Sequence, residues 1–246
     1  METDIRVFDV VDSTNVTLAE MAENGAGEGT CVIAFMQRAG QGRSGRTFYS
    51  PEGANLYMSL LLRPAGRPYD MITVMAAVAV VHAIKRRFGI DTGIKWVNDI
   101  IYSDRKVCGI VAKAHDFGGD DPYVVLGIGV NIYESSDVPP EIADTYGSLI
   151  KGSCELSREE GRRQAKELAS DIIEEFSYYY EDYRKREAVE EYRKHSVVIG
   201  RTIEYVSGND RIRAVVAGID DDAAIVLDID GKRQSFRDGE IRIRIT

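Results

Sequence analysis

The feature that most constrains this chain is a change of hydrophobic period near residue 195. Upstream of it, Leu168, Ile172, Phe176, Tyr180 and Tyr183 recur at helical spacing among mostly charged neighbours. That spacing predicts a long amphipathic helix lying across an apolar surface, broken near Arg186. Ser157 and Glu160 stand in the capping-box pattern at its start, and the cluster Tyr178-Tyr179-Tyr180 reads as helix packing. Downstream, short runs at 197–199, 202–206, 211–216, 224–227 and 240–245 are punctuated by Gly200, Gly208-Asn209-Asp210, Asp220-Asp221-Asp222 and Gly231. Strands so closely spaced predict a small appended β-barrel. At about 150 residues per domain, 246 residues suit one sizeable unit, 1–194, and a small one, 195–246.

The larger unit reads as α+β, a mixed sheet packed against helices. Asp12-Ser13-Thr14-Asn15 are good helix-capping types; Leu18, Met21 and Ala22 follow at helical spacing and Gly25 supplies a stop. Strands are expected at 30–36, 55–62, 94–97, 106–114 and 123–130, with Asn98-Asp99 ending the third and a turn at 118–122. The apolar run 71–84, with Asp70 before it and Lys85-Arg86-Arg87 and Gly89 after it, reads as a buried helix. It is shorter than the span of about 20 residues that a membrane requires.

Composition narrows the function. The chain is 44% apolar and 29% charged, with a net charge of 31 − 40 = −9. Such a balance disfavours non-specific nucleic-acid binding, which needs clustered cations. Cys31, Cys108 and Cys154 are scattered and form no CxxC pair, so neither a disulfide framework nor a zinc site is expected. The acidic start Met1-Glu2-Thr3-Asp4 is unlike a signal peptide. A soluble, cytoplasmic protein is expected, with no membrane partner. His82, His115 and His195 lack nucleophile-elbow or metal-ligand spacing and read as packing or surface residues.

Four segments carry chemistry. In Ala39-Gly40-Gln41-Gly42-Arg43-Ser44-Gly45-Arg46, the glycines allow close backbone approach and the two arginines suit phosphate or carboxylate. The segment is neither a P-loop nor a dinucleotide fingerprint, and a solvated surface hairpin is the plainer alternative. Lys95-Trp96-Val97-Asn98-Asp99 offers polar side chains at a strand end, or simple turn chemistry with Trp96 in the core. Lys106 opens the apolar run 106–111, where it is either a substrate-facing ammonium or an edge cation. Gly127-Ile128-Gly129-Val130-Asn131 leaves one strand face bare, as a close backbone neighbour or a flat ligand requires.

In this order, together with Asp12-Ser13-Thr14-Asn15, Gln37 and Ser50-Pro51-Glu52-Gly53-Ala54-Asn55-Leu56, these segments resemble a biotin protein ligase. The resemblance covers nearly the whole chain, counting the small C-terminal unit with its Gly239-Glu240. It implies a catalytic domain like that of class II aminoacyl-tRNA synthetases and a C-terminal barrel that is SH3-like. It also implies two steps: biotin and ATP form biotinyl-5′-AMP and pyrophosphate, and the biotinyl group then passes to a lysine of a biotin carboxyl carrier protein. By resemblance, Lys106 and Arg43 are the catalytic cations. Biotin is held by Ser13, Thr14, Asn15, Gln37, Gly40, Gln41, Gly42, Arg43, Lys106, Gly109 and Val111. The adenylate is held by Arg43, Arg46, Asn98, Lys106, Gly127, Gly129 and Asn131. Mg²⁺ accompanies ATP with ligands that the motifs do not name. A loop that orders over the ligand and a homodimer are further implications.

The chain departs from the family pattern at three places. Gln41 and Ser44 stand where arginine is frequent, and Val97 stands where proline is frequent. The motif Asp12 to Asn15 lies so near the start that the short form, without a DNA-binding repressor domain, is expected. A lipoate or octanoate ligase or transferase, and a non-catalytic biotin-binding homologue, are the alternatives.

Overall fold

The computed structural model describes residues 1–53, 55–64, 69, 71–115, 121–152, 157–207, 210–237 and 242–245. A seven-stranded mixed sheet comprises β1 (Asp4–Phe8), β2 (Thr30–Ala34), β3 (Leu56–Leu62), β4 (Gly93–Lys95), β5 (Asp99–Tyr102), β6 (Arg105–His115) and β7 (Tyr123–Val130), in the order β1-β2-β3-β7-β6-β5-β4. Only the β1–β2 pairing is parallel. Among the described residues α1 (Thr14–Glu23), α2 (Ile72–Phe88) and α3 (Arg158–Glu181) pack on it, and α4 (Lys185–Lys194) packs against α2 and α3.

The alternation of strand side chains decides which helix meets which face. Val32, Leu61, Tyr123 and Val125 pack under Leu18 and Ala22 of α1. The intervening residues, such as Cys31, Leu60 and Leu126, join the larger core with α2, α3 and α4. With both faces covered, β2 and β3 are buried along their whole length, which is why they read as continuous apolar runs. The capping box at Ser157 and Glu160 starts α3, and the expected break falls at 182–184. Tyr179 and Tyr180 are buried, whereas Tyr178 faces solvent.

Several local expectations shift. The segment 94–97 does not run as one strand: β4 stops at Lys95, the Trp96–Val97 peptide is cis, and Asp99 opens β5 instead of ending a strand. Residues 197–199 are a bend, held because Val197 N–H donates to the Ile94 carbonyl at 3.0 Å. The expected cap Asp70, the cysteine Cys154 and the turn glycines Gly118 and Gly119 lie outside the described residues. No helix among the described residues is long and apolar enough to cross a membrane.

After α4 the chain forms a five-stranded antiparallel sheet of β8 (Thr202–Ser207), β9 (Asp210–Ile219), β10 (Ile225–Ile229), β11 (Lys232–Phe236) and β12 (Arg242–Ile245), in the order β11-β10-β9-β8-β12. Its inward residues, Val216, Ile225 and Leu227 among them, join the main core. Trp96 Nε1 donates to the Ala223 carbonyl at 3.0 Å, and Arg193 Nε to the Ile219 carbonyl at 2.7 Å.

Candidate active site

The floor of the cleft is a bare stretch of sheet. Register places Gly109 opposite Gly129 and Val111 opposite Gly127, on the face that α1 covers farther along at Tyr123 and Val125. These glycines admit side chains from elsewhere. A Cβ on Gly127 would lie 2.3 Å from Asn15 Oδ1, one on Gly129 2.4 Å from the Phe48 ring, and one on Gly109 2.9 Å from that ring. Phe48 and Asn15 therefore rest directly on backbone. Beside them the cleft opens to solvent, with Met58, Ile110 and Ile128 adding apolar lining between the polar groups.

One wall is a neutral hydrogen-bonded network at the start of α1. Thr14 donates its backbone N–H (2.8 Å) and its hydroxyl (3.1 Å) to Gln37 Oε1. Gln37 Nε2 donates to Ser50 Oγ at 2.8 Å, and Ser50 to the Phe48 carbonyl at 2.9 Å. Ser59 Oγ, fully buried in β3, lies 2.8 Å from Thr14 Oγ1 and 2.7 Å from Asn15 Oδ1. A hydroxyl has one proton, so it serves one acceptor at a time. The network holds Thr14, Asn15 and Gln37 at the cleft wall.

The other wall is cationic. After Gly42 the chain makes a single 3-10 turn, Arg43–Gly45, closed where Gly42 N–H donates to the Arg46 carbonyl at 2.7 Å. Arg43 Nη1 donates to Asn98 Oδ1 at 2.9 Å, and Asn98 Nδ2 to the Ile110 carbonyl at 2.7 Å. Lys106 Nζ pairs with Asp99 Oδ1 at 2.6 Å and lies 5.8 Å from the Phe48 ring centroid. Lys113 donates to Gln41 Oε1 and ties the loop to β6. Arg43 and Lys106 line the cleft, and no carboxylate does so among the described lining residues. In a chain of net charge −9, this is a local field for an anion.

Thr14, Asn15, Gln37, Gln41, Gly42, Arg43, Asn98, Lys106, Gly109, Val111, Gly127 and Gly129 all line the cleft. Four expected residues stand outside that lining. Ser13 is buried behind it with a hydroxyl lacking a partner. Gly40 sits against Phe48 and Ser50, where a Cβ would lie 2.5 Å from the Phe48 carbonyl. Arg46 is exposed beyond the turn. Asn131 is buried and donates to the Gly147 carbonyl at 3.0 Å. Sequence reasoning singled out Asp99 beside Asn98 but gave it no role, and it missed Phe48, Ser59 and Lys113, each a single residue in an ordinary strand or loop context.

The pattern of the biotin/lipoate A/B protein ligase family matches residues 7–131. The bifunctional ligase/repressor BirA of Bacillus spizizenii is 34% identical over 226 residues, taking in 89% of this chain and 68% of that one. The biotin–[acetyl-CoA-carboxylase] ligase of Mycobacterium tuberculosis is 27% identical over 250 residues, covering 96% of this chain and 88% of its own length. A biotin protein ligase of Aquifex aeolicus, solved in complex with biotin and ATP, shares the fold with a TM-score of 0.81 at 24% identity over 99% of both chains.

Proposed function

The chain belongs to the biotin/lipoate A/B protein ligase family, and on that premise we propose how its cleft works as an ATP-dependent biotin protein ligase. In the first step an oxygen of the biotin carboxylate attacks the α-phosphorus of ATP. The bond to the leaving pyrophosphate breaks and biotinyl-5′-AMP forms. In the second, a neutral lysine amine of the acceptor attacks the acyl carbon, AMP leaves and the amine loses its proton. The observation that carries this reading is one cleft with a neutral hydrogen-bonding wall facing a cationic one, over a floor of glycines.

Each wall has a task. Thr14, Asn15 and Gln37, braced by Ser50 and Ser59, suit a polar ring that needs fixed donors and acceptors, such as the ureido group of biotin. Lys106 and Arg43 bring two anions together, which otherwise repel. Asp99 and Asn98 hold these cations in place beforehand, so little reorganisation accompanies the reaction. Phe48 lies over Gly109 and Gly129, an aromatic face on which a flat ligand ring can stack, and the loop 40–48 closes over the activated acid. Without a carboxylate lining the described cleft, the residues present do not form a Mg²⁺ cage. Any Mg²⁺ would be brought by the triphosphate and would offset its charge alongside Lys106 and Arg43.

Residues 1–194 form the catalytic part and 195–246 an SH3-like barrel that buttresses it. The acceptor is a biotin carboxyl carrier domain. The outer edge of β1, with Ile5, Val7 and Phe8 exposed, suits strand addition by a second copy. ATP–pyrophosphate exchange with biotin, lipoate, octanoate and no acid tests the activity. Exchange with biotin alone is expected; exchange with lipoate or octanoate instead selects the other branch of the family.

A further inference from the structure

Three side chains outside the cleft meet where α2, α4 and the lead-in to the C-terminal sheet converge. They are His82 of α2, Glu191 of α4 and His195, which caps α4. Their ligating atoms all lie within 4.8 Å of one another. Glu191 and His195 are one helical turn apart and share a face. His82 Nε2 lies 3.7 Å from Glu191 Oε2, and the two imidazoles meet edge to face at 5.6 Å between centroids.

We propose that His82, Glu191 and His195 form a binding site for a divalent transition-metal ion of the zinc type, with water as the fourth ligand. The surroundings are arranged as such a site requires. His82 Nδ1 faces Glu175 Oε2 at 3.5 Å, the carboxylate–histidine arrangement that fixes the tautomer and presents Nε2 to a metal. Cations occupy the distal oxygen of each carboxylate. Arg86 Nη1 lies 3.2 Å from Glu175 Oε1, and Lys194 Nζ 2.6 Å from Glu191 Oε1. Both Oε2 atoms are thereby left turned toward the imidazole. Zinc–nitrogen bonds of about 2.0–2.1 Å in a tetrahedron set ligand atoms roughly 3.4 Å apart. The His82–Glu191 pair is already near that spacing, and the widest separation closes by side-chain rotation. Two imidazoles with a carboxylate favour zinc, cobalt or nickel over magnesium or calcium. Side-chain accessibilities of 30% for His82 and 26% for Glu191 leave an entry path.

The ion would pin α2 to α4 beside the Lys95-to-Asn98 segment. Tyr192, next to Glu191, donates to the Val97 carbonyl at 3.0 Å, and the His195 carbonyl accepts from Ile94 at 2.7 Å.

The test uses the full chain, stripped with a chelator and titrated with Co²⁺. One equivalent is expected to bind with the visible absorption of tetrahedral cobalt, displaced by Zn²⁺, and Zn²⁺ is expected to raise Tm. Glu175→Gln should weaken Co²⁺ binding by about tenfold to a hundredfold. His195→Gln and Glu191→Gln should abolish the band and the Tm shift, with circular dichroism unchanged. These variants keep all three cysteines, so thiol binding would appear equally in each. Absence of the band and of the Tm shift in the unmodified chain overturns the site, as does a signal equal in His195→Gln and Glu191→Gln. The cluster is then only a packing contact of His82 with Glu175 and Glu191.

Discussion

Lys106 and Arg43 show how a cation is held in place by a neighbouring polar group. Each is held by a residue where β4 gives way to β5, Lys106 by Asp99 at the start of β5 and Arg43 by Asn98 in the turn before it. Lys106→Ala is expected to cut adenylate formation by about 10²–10³, the usual loss for one preorganised electrostatic contact, while Tm stays close to the parent value. Near-parent pyrophosphate exchange would remove Lys106 from that role. Arg43→Ala deletes a charged donor worth about 1.5–3 kcal/mol, so biotinyl-AMP should be retained roughly tenfold to a hundredfold less well. Trapping free biotinyl-AMP in solution, without acceptor, measures this. The sequence made both cations visible because a Gly-Arg loop and a lysine opening an apolar strand are local patterns. It hid Phe48, Ser59 and Lys113, whose positions depend on which strands pair. Gln41 gains its meaning the same way, because an arginine there would face Lys113 across the loop, where glutamine accepts a hydrogen bond instead.

Among the elements, those with one or both faces buried were legible and those at edges were not. The periods of α1 and α3 follow directly from their core contacts, whereas α2, like β2 and β3, is buried almost all round and reads as a continuous apolar run. By contrast, β1 is exposed along its whole length and β11 is Lys232-Arg233-Gln234-Ser235-Phe236, so neither carries the alternation by which a strand is recognised. Residues 197–199 are as apolar as a strand, yet they turn because Val197 pairs with Ile94, a partner distant in the chain. Capping is the clearest local signal. The Ser157 side chain and backbone donate to Glu160 Oε2 and hold its carboxyl below the usual range. A carboxylate with a folded pKa below its unfolded one stabilises above the unfolded value and loses that contribution as pH falls through the folded one. The stability difference between the parent chain and Glu160→Gln should therefore be present at neutral pH and shrink below about pH 4–5. Urea titrations across that range measure this, and a difference that stays constant with pH would contradict this account of the cap.

Over the whole molecule, the sheet order β1-β2-β3-β7-β6-β5-β4 is what brings residues 14, 43, 98, 106 and 127 to one cleft. Sequence spacing does not encode that order, and it also separates His82 from His195. The two halves share a buried seam. Trp96→Phe keeps an aromatic ring but strands the Ala223 carbonyl, at an expected cost of about 1–3 kcal/mol of global stability. A urea midpoint equal to the parent's would show that water satisfies that carbonyl. Because this seam reaches the turn bearing Asn98, the variant should also raise KM for ATP more than it lowers kcat.

Three successive residues, Trp96, Val97 and Asn98, are each held by a different part of the chain: the Ala223 carbonyl, the Tyr192 hydroxyl and Arg43. A chimera that joins this catalytic part to a relative's C-terminal unit inherits mismatched anchors for that triplet. Recombination between relatives therefore conserves function only when segments 94–98, 192–198 and 219–224 travel together. The natural exchangeable module cuts across the apparent boundary at residue 195.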